Sequence, residues 1–134
     1  MERTFAMIKP SCTKYVAEVE NAIAAANLTV AQVKDKNFSQ EEAKEFYIEH
    51  KNKPFFDGLV SMLSSAPVRV YELVGEDAVK VWRGLIGPTN PNNGDGLRHK
   101  FADGAAYAAG SPDNGFHGSA NSADAAREIK LVFE

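Results

Sequence analysis

Residues 4–10 read TFAMIKP, an apolar run from Phe5 to Ile8 followed by Lys9 and Pro10. A short apolar run closed by proline suits a buried β-strand, because proline has no N–H for a ladder and pairing stops where it stands. The residues that follow decide what kind of sheet this strand joins. Val16, Val19, Ile23 and Ala26 recur at three- and four-residue steps, which lays an apolar stripe along a helix from about Tyr15 to Ala26. Leu28 to Phe38, carrying Leu28, Val30 and Val33, reads as a second strand.

Ser39 then opens a second helix. It stands as N-cap with Glu42 as its capping-box partner, and the first turn is acidic. KNKPFFDG breaks the pattern, Leu59 to Leu63 predicts a short helix, Val68 to Val74 a third strand, and Asp77 to Gly84 a further helix carrying Val79 and Trp82. From Gly84 to Pro112, Gly, Pro, Asn and Asp predict a long loop, a feature that in a compact domain is usually functional or disordered. A brief segment at Phe116 and His117 follows, then a helix from about Ser122, with Asn121 or Ser122 as N-cap and Asp124 in its first turn. This alternation predicts an α/β fold of the α+β sandwich kind. The expected architecture is a ferredoxin-like βαββαβ unit with an antiparallel sheet and additional short helices, one domain over residues 1–134.

Composition narrows the function. Fifteen basic against 18 acidic residues leave a formal net charge of −3, which argues against a nucleic-acid-coating protein. It does not argue against an anionic ligand, because a small phosphate needs only a few local cations and N–H groups. The single cysteine, Cys12, rules out an intrachain disulfide and a Cys-rich zinc site. The opening MERTFAMIKP has too short an apolar run for a signal segment or a membrane span. A reduced, cytoplasmic setting with no membrane partner is the expectation.

Polar residues that could carry chemistry punctuate the loops: Lys9 at the end of the first strand, Arg83, Thr89 and Arg98 around the long loop, and Asn114 with His117 beyond it. Singly, each is unremarkable: a strand-end lysine, a pair of surface arginines, an isolated histidine. Together they are more informative. A lysine and two arginines supply charge-assisted hydrogen bonds to a polyphosphate, Thr89 offers a hydroxyl, and a neutral imidazole beside them is a competent nucleophile.

ERTFAMIKP, FYIEHKNKPFFDGLV, SAPV (Ser65 to Val68), GPTNP (Gly87 to Pro91), GLR (Gly96 to Arg98), NGFHGS (Asn114 to Ser119) and AAREI resemble, in this order, the motifs of nucleoside diphosphate kinases. The resemblance covers nearly the whole chain, and its most specific element is the N-x-x-H-G-S pattern at Asn114 to Ser119. It implies transfer of the terminal phosphate of a nucleoside triphosphate to a nucleoside diphosphate through a phosphohistidine, with His117 as the nucleophile. It further implies that Lys9, Tyr47, Arg83, Thr89, Arg98 and Asn114 contact phosphates or sugar, and that Phe55 and Leu59 bracket the base. Ser119 and Glu128 would support His117, Mg²⁺ would travel on the nucleotide rather than on protein side chains, and the protein would form a homo-oligomer.

For several residues a plain structural role is equally open. Packing accounts for Tyr47 as well as ligand contact does, Glu128 could be a plain helix charge, Phe55 and Phe56 could both be core, which for Phe56 is the better reading, and His50 and His99 read as surface residues. The chain also departs from the family's pattern. Ser11 and Cys12 stand where Asp-Gly is common and the connection there is shorter, the loop between Asn90 and Arg98 is shorter, and Ala120 stands where aspartate is frequent. The segment from Phe101 to Asp113 is longer, and its Ala-Gly composition suggests either a mobile flap over the cleft or a short extra helix, the flap being the sharper idea. Two alternatives stay open: a nucleotide-binding scaffold that has lost turnover, against which the retention of His117 counts, and a DNA-binding regulator, against which the acidic balance counts.

Overall fold

The computed structural model describes residues 1–89, 94–101 and 113–134. The flap or extra helix expected between Phe101 and Asp113, and residues 90–93 of the shortened loop, lie outside the described residues. Strand β1 (Glu2–Ile8) is followed by a 3-10 helix (Pro10–Tyr15), helix α1 (Val16–Ala25), strand β2 (Thr29–Lys36) and helix α2 (Gln40–Phe46). Then come a 3-10 turn (Ile48–His50), α3 (Phe56–Leu63), β3 (Val68–Gly75), α4 (Ala78–Ile86), the single turn α5 (Leu97–Lys100), β4 (Phe116–Gly118) and α6 (Ser122–Phe133).

The four strands form one sheet in the order β2-β3-β1-β4, antiparallel throughout, which is the ferredoxin-like arrangement that the alternation of elements predicts. β1 begins at Glu2 rather than Thr4, because β3 continues to Gly75 and draws the two polar residues into register, Glu2 opposite Gly75 and Arg3 opposite Val74. On β1 the pleat sorts side chains two by two. Ala6 and Ile8 face a core built with Val19 and Ile23 of α1 and Ala78, Trp82 and Ile86 of α4. Phe5 and Met7 face the other, with Ala43 and Phe46 of α2, Val60 and Leu63 of α3, and Ile129 and Val132 of α6. β1 is therefore buried on both faces, which is why its sequence is a continuous apolar run.

Local signals explain the element ends. The capping box at α2 forms in full: Ser39 Oγ accepts from the Glu42 N–H at 3.1 Å, and the Glu42 carboxylate accepts from the Ser39 N–H at 3.0 Å. At α6 the N-cap is Asn121, whose side chain accepts from the Asp124 N–H at 2.8 Å. Helix α1 starts at Val16, with Tyr15 ending the 3-10 helix before it, as the apolar stripe predicts. One expectation needs correction. The loop expected from Gly84 begins later: an exposed glycine with a helical backbone does not stop a helix, and α4 runs on to Ile86, where Gly87, with φ +84°, ends it. Gly87 and Gly96 then cross so closely that a Cβ on Gly96 would lie 2.6 Å from the Gly87 nitrogen, and α5 starts just after this contact. Among the described residues no helix is long and apolar enough to cross a membrane.

Candidate active site

β4 lies against β1 with Met7 opposite His117 and Ala6 opposite Gly118. Gly115 takes φ +88°, a turn only glycine makes without strain, and brings the chain into this strand. Gly118 serves a different need. A Cβ there would meet Trp82 Cδ1 at 2.7 Å, so its place is set by close packing against α4 rather than by a turn. The same indole donates from Nε1 to the His117 carbonyl at 2.9 Å, which ties the histidine's backbone to a fully buried helix residue. The imidazole packs on Phe46, ring centroids 5.2 Å apart and nearly edge-on, and on Phe5 at 5.9 Å.

Nε2 of His117 stands 2.9 Å from Oε1 of Glu128, and the Ser119 hydroxyl donates to the same oxygen at 2.8 Å. Glu128 is no plain helix charge: it is only 3% exposed. Burial pushes its carboxyl up, but the hydrogen bond and charge of His117, the Ser119 hydroxyl and the nearby Arg127 outweigh this and hold it below the usual carboxylate range. With Glu128 ionised as acceptor, the proton of a neutral imidazole sits on Nε2 and the lone pair on Nδ1.

Lys9 is no solvated edge charge. It is 6% exposed, and its ammonium donates to Asn114 Oδ1 at 2.8 Å. Asn114 in turn donates to the Thr89 carbonyl at 3.1 Å, so Lys9, Asn114 and Thr89 form one chain of contacts. Burial and the neighbouring Arg98 lower the lysine's pKa to about 7, with Asp113 acting in the opposite sense. Arg98 is also buried, donating to the Gly87 carbonyl at 2.7 Å and the Phe116 carbonyl at 2.9 Å. Arg83 is exposed on α4 and reaches the Ser119 carbonyl at 3.5 Å.

Tyr47 is buried and its hydroxyl has no hydrogen-bond partner among the described residues. Burial first, then the charges of Glu128 and Asp113, push its phenol well above the ordinary range, so it stays a neutral donor. A row of rings leads away from it, His50 at 6.3 Å from Tyr47 and Phe55 at 5.4 Å from His50. His50 is thus not a plain surface residue; its Nδ1 is buried. Phe55 is 49% exposed and so is not a core residue, unlike Phe56, which packs on the second core, and Leu59 is half-buried against that same core. His99 is exposed and Cys12 is buried.

Four participants have no readable signal as site residues. Trp82 looks like any core aromatic, and Ser11 and Asp113 like loop polar residues. Arg127, whose guanidinium reaches the Phe46 carbonyl at 3.1 Å and lies 3.9 Å from Glu128 Oε2, looks like a surface helix charge. An oriented histidine on β4, a buried lysine just after β1, and arginines on α4 and α5 that reach the backbone on either side of the histidine make an arrangement that can hold an anion near a nucleophile. Comparison with known proteins gives that arrangement a family. The model of the nucleoside diphosphate kinase family matches residues 2–134, and the chain belongs to that family.

The solved nucleoside diphosphate kinase of Aquifex aeolicus superposes with a TM-score of 0.88 at 30% identity, covering 99% of this chain and 95% of that one. The Halobacterium salinarum nucleoside diphosphate kinase, solved in complex with CDP, superposes with a TM-score of 0.86 at 32% identity, covering 99% of this chain and 88% of that one. Among curated proteins, thioredoxin domain-containing protein 6 of Xenopus laevis is 40% identical over 139 aligned positions. That match takes in 99% of this chain but only 21% of the relative's length.

Proposed function

We propose that this protein is an active nucleoside diphosphate kinase working by a ping-pong mechanism through a phosphohistidine at His117. The observation that carries this reading is the 2.9 Å contact of His117 Nε2 with Glu128, which leaves Nδ1 with its lone pair. In the first half-reaction Nδ1 attacks the terminal phosphorus of a nucleoside triphosphate. The Nδ1–P bond forms as the bond to the bridging oxygen breaks, and the nucleoside diphosphate leaves. The proton stays on Nε2, so the ring becomes cationic and the Glu128 carboxylate stabilises the charge as it develops. In the second half-reaction a terminal phosphate oxygen of another nucleoside diphosphate attacks the same phosphorus, and the N–P bond breaks.

Lys9, Arg83 and Arg98, with Asn114, Thr89 and the neutral Tyr47 hydroxyl, supply the cations and donors that phosphoryl transfer needs for positioning and charge neutralisation. Phe55, exposed, and Leu59 bracket the base. The CDP complex of the Halobacterium relative supports nucleotide as the ligand class. The donor set suits phosphate oxygens, and the nearby carboxylates of Glu128 and Asp113 are already engaged by protein donors. Mg²⁺ bound to the nucleotide's phosphate oxygens would add charge neutralisation. Self-association is supported by β2, an edge strand that leaves Val30 and Val33 exposed. A cytoplasmic setting is consistent with a single cysteine, Cys12, buried as a thiol.

The test is kinetic. Initial rates with ATP and a second nucleoside diphosphate varied together should give parallel double-reciprocal lines; intersecting lines would contradict a phosphoenzyme intermediate.

A further inference from the structure

Three ties join the turn after β1 to the approach into β4. The Lys9 N–H donates to the Gly115 carbonyl at 2.8 Å, and the Lys9 ammonium to Asn114 at 2.8 Å. The third tie is a carboxylate. Asp113 Oδ2 accepts the Ser11 N–H at 2.9 Å, and Oδ1 accepts the Ser11 hydroxyl at 2.7 Å and the Gly115 N–H at 3.0 Å. Ser11 and Asp113 are 102 residues apart in the chain, and each is one or two residues from a proposed phosphate ligand: Ser11 from Lys9, Asp113 from Asn114. Neither is in the set of groups proposed to touch nucleotide.

We propose that Ser11 and Asp113 are positioning residues for phosphate binding, a clasp that fixes Lys9 and Asn114 relative to one another and to His117. Two charge-assisted hydrogen bonds to one residue set both the distance and the orientation of the two segments. Ser11 thus gives the Ser-Cys pair after Pro10, where the family often has Asp-Gly, a structural purpose. The same carboxylate belongs to the electrostatic surroundings of the Lys9 ammonium, where it opposes the Arg98 guanidinium.

The inference rests on the proposed nucleotide site, and its test separates the two. Mg·ADP affinity is measured by calorimetry across pH for the wild type, Ser11→Ala, Asp113→Ala, Asp113→Asn and the double Ser11→Ala/Asp113→Ala variant, with thermal melting alongside. Phosphoenzyme formation from Mg·ATP is followed in the wild type. Asp113→Ala should weaken ADP binding about tenfold, the scale of a lost charged hydrogen bond. The double variant should be no weaker than Asp113→Ala, because the two residues act as one unit. In Asp113→Asn, which keeps the shape but not the charge, the alkaline loss of affinity should begin at lower pH, since no Asp113 charge then offsets Arg98 at the Lys9 ammonium. A lowered melting temperature with unchanged ADP affinity and pH profile would overturn the clasp, as would fully additive effects. A wild type that binds Mg·ADP but never becomes phosphorylated would overturn the phosphohistidine reading instead, with the clasp still decided by the affinities.

Discussion

Nε2 of His117 lies 2.9 Å from Oε1 of Glu128, and that oxygen also receives the Ser119 hydroxyl. The carboxylate therefore fixes which ring nitrogen bears the proton, holds the ring's orientation, and lies in place for the positive charge that the proposed phosphorylation of Nδ1 would create. All three effects come from a side chain on α6, the helix that follows the strand carrying the histidine.

Glu128→Gln keeps an acceptor of the same size but removes the charge. The expected outcome is a fall in kcat of about 10–100-fold, the range seen when an orienting partner of a histidine is lost. Half-saturating nucleotide should change little, because the Glu128 carboxylate is engaged by His117 and Ser119 and is assigned no phosphate contact. Steady-state kinetics checks both numbers, and a change confined to KM would contradict an orienting role for Glu128.

Lys9 should couple nucleotide binding to proton uptake. Its pKa is lowered to about 7 by burial and by Arg98, and bound phosphates favour the ammonium, so above that pH binding draws a proton from solvent. Calorimetry at about pH 8 in buffers of different ionisation enthalpy should register this uptake, which is lost in Lys9→Met. Folding is linked to the same proton. Between the lowered folded pKa and the unfolded value of 10.5 the unfolded chain binds more protons, so this group's contribution to stability rises with pH across that window. Lys9→Met should accordingly raise the melting temperature most below about pH 7, where the buried ammonium is charged in both states.

Phe55→Ala separates binding from folding. The ring is half exposed, so stability should shift by no more than about 0.5 kcal/mol. Nucleotide affinity should fall about tenfold or more, the cost of losing one aromatic platform beneath a base. Thermal melting and nucleotide titration of one preparation check the pair of values.

Gly118→Ala should damage both stability and turnover. Its methyl would meet Trp82 at 2.7 Å and force the indole away from the His117 carbonyl. Overpacking of this kind costs about 1–3 kcal/mol. Denaturant unfolding and kcat are the measurements, and a variant with wild-type values for both would show that β4 yields more freely than this packing implies.

Much of the fold is legible in residues that act locally. Ser39 and Glu42 announce the start of α2 because each completes the other's hydrogen bond within one turn. The apolar run from Phe5 to Ile8 announces a strand buried on both faces because the sheet has helices on each side. The end of α4 is less legible: Gly84 and Gly87 look alike in the sequence, and only the backbone angle at Gly87 distinguishes the one that stops the helix. α5 escapes notice because four residues hold no periodicity.

The site divides the same way. Lys9, Asn114, His117 and Ser119 stand out through motif and resemblance, and the structure draws them into the linked contacts through Asn114 and Glu128. Trp82, Ser11, Asp113 and Arg127 act across long stretches of chain, where composition and spacing carry no signal. The apparent surface status of His50 fails for a local reason: the turn between α2 and α3 gathers its near neighbours Tyr47 and Phe55 around it, in a segment with no periodicity to announce this.

The most direct test of the central claim is the intact mass of the protein after brief exposure to Mg·ATP without acceptor, for the wild type and for His117→Ala. The expected result is an acid-labile gain of a single phosphate in the wild type, absent from the variant and discharged by added GDP. A wild type that binds ATP yet gains no mass, or a His117→Ala variant that gains the same acid-labile phosphate, would contradict it.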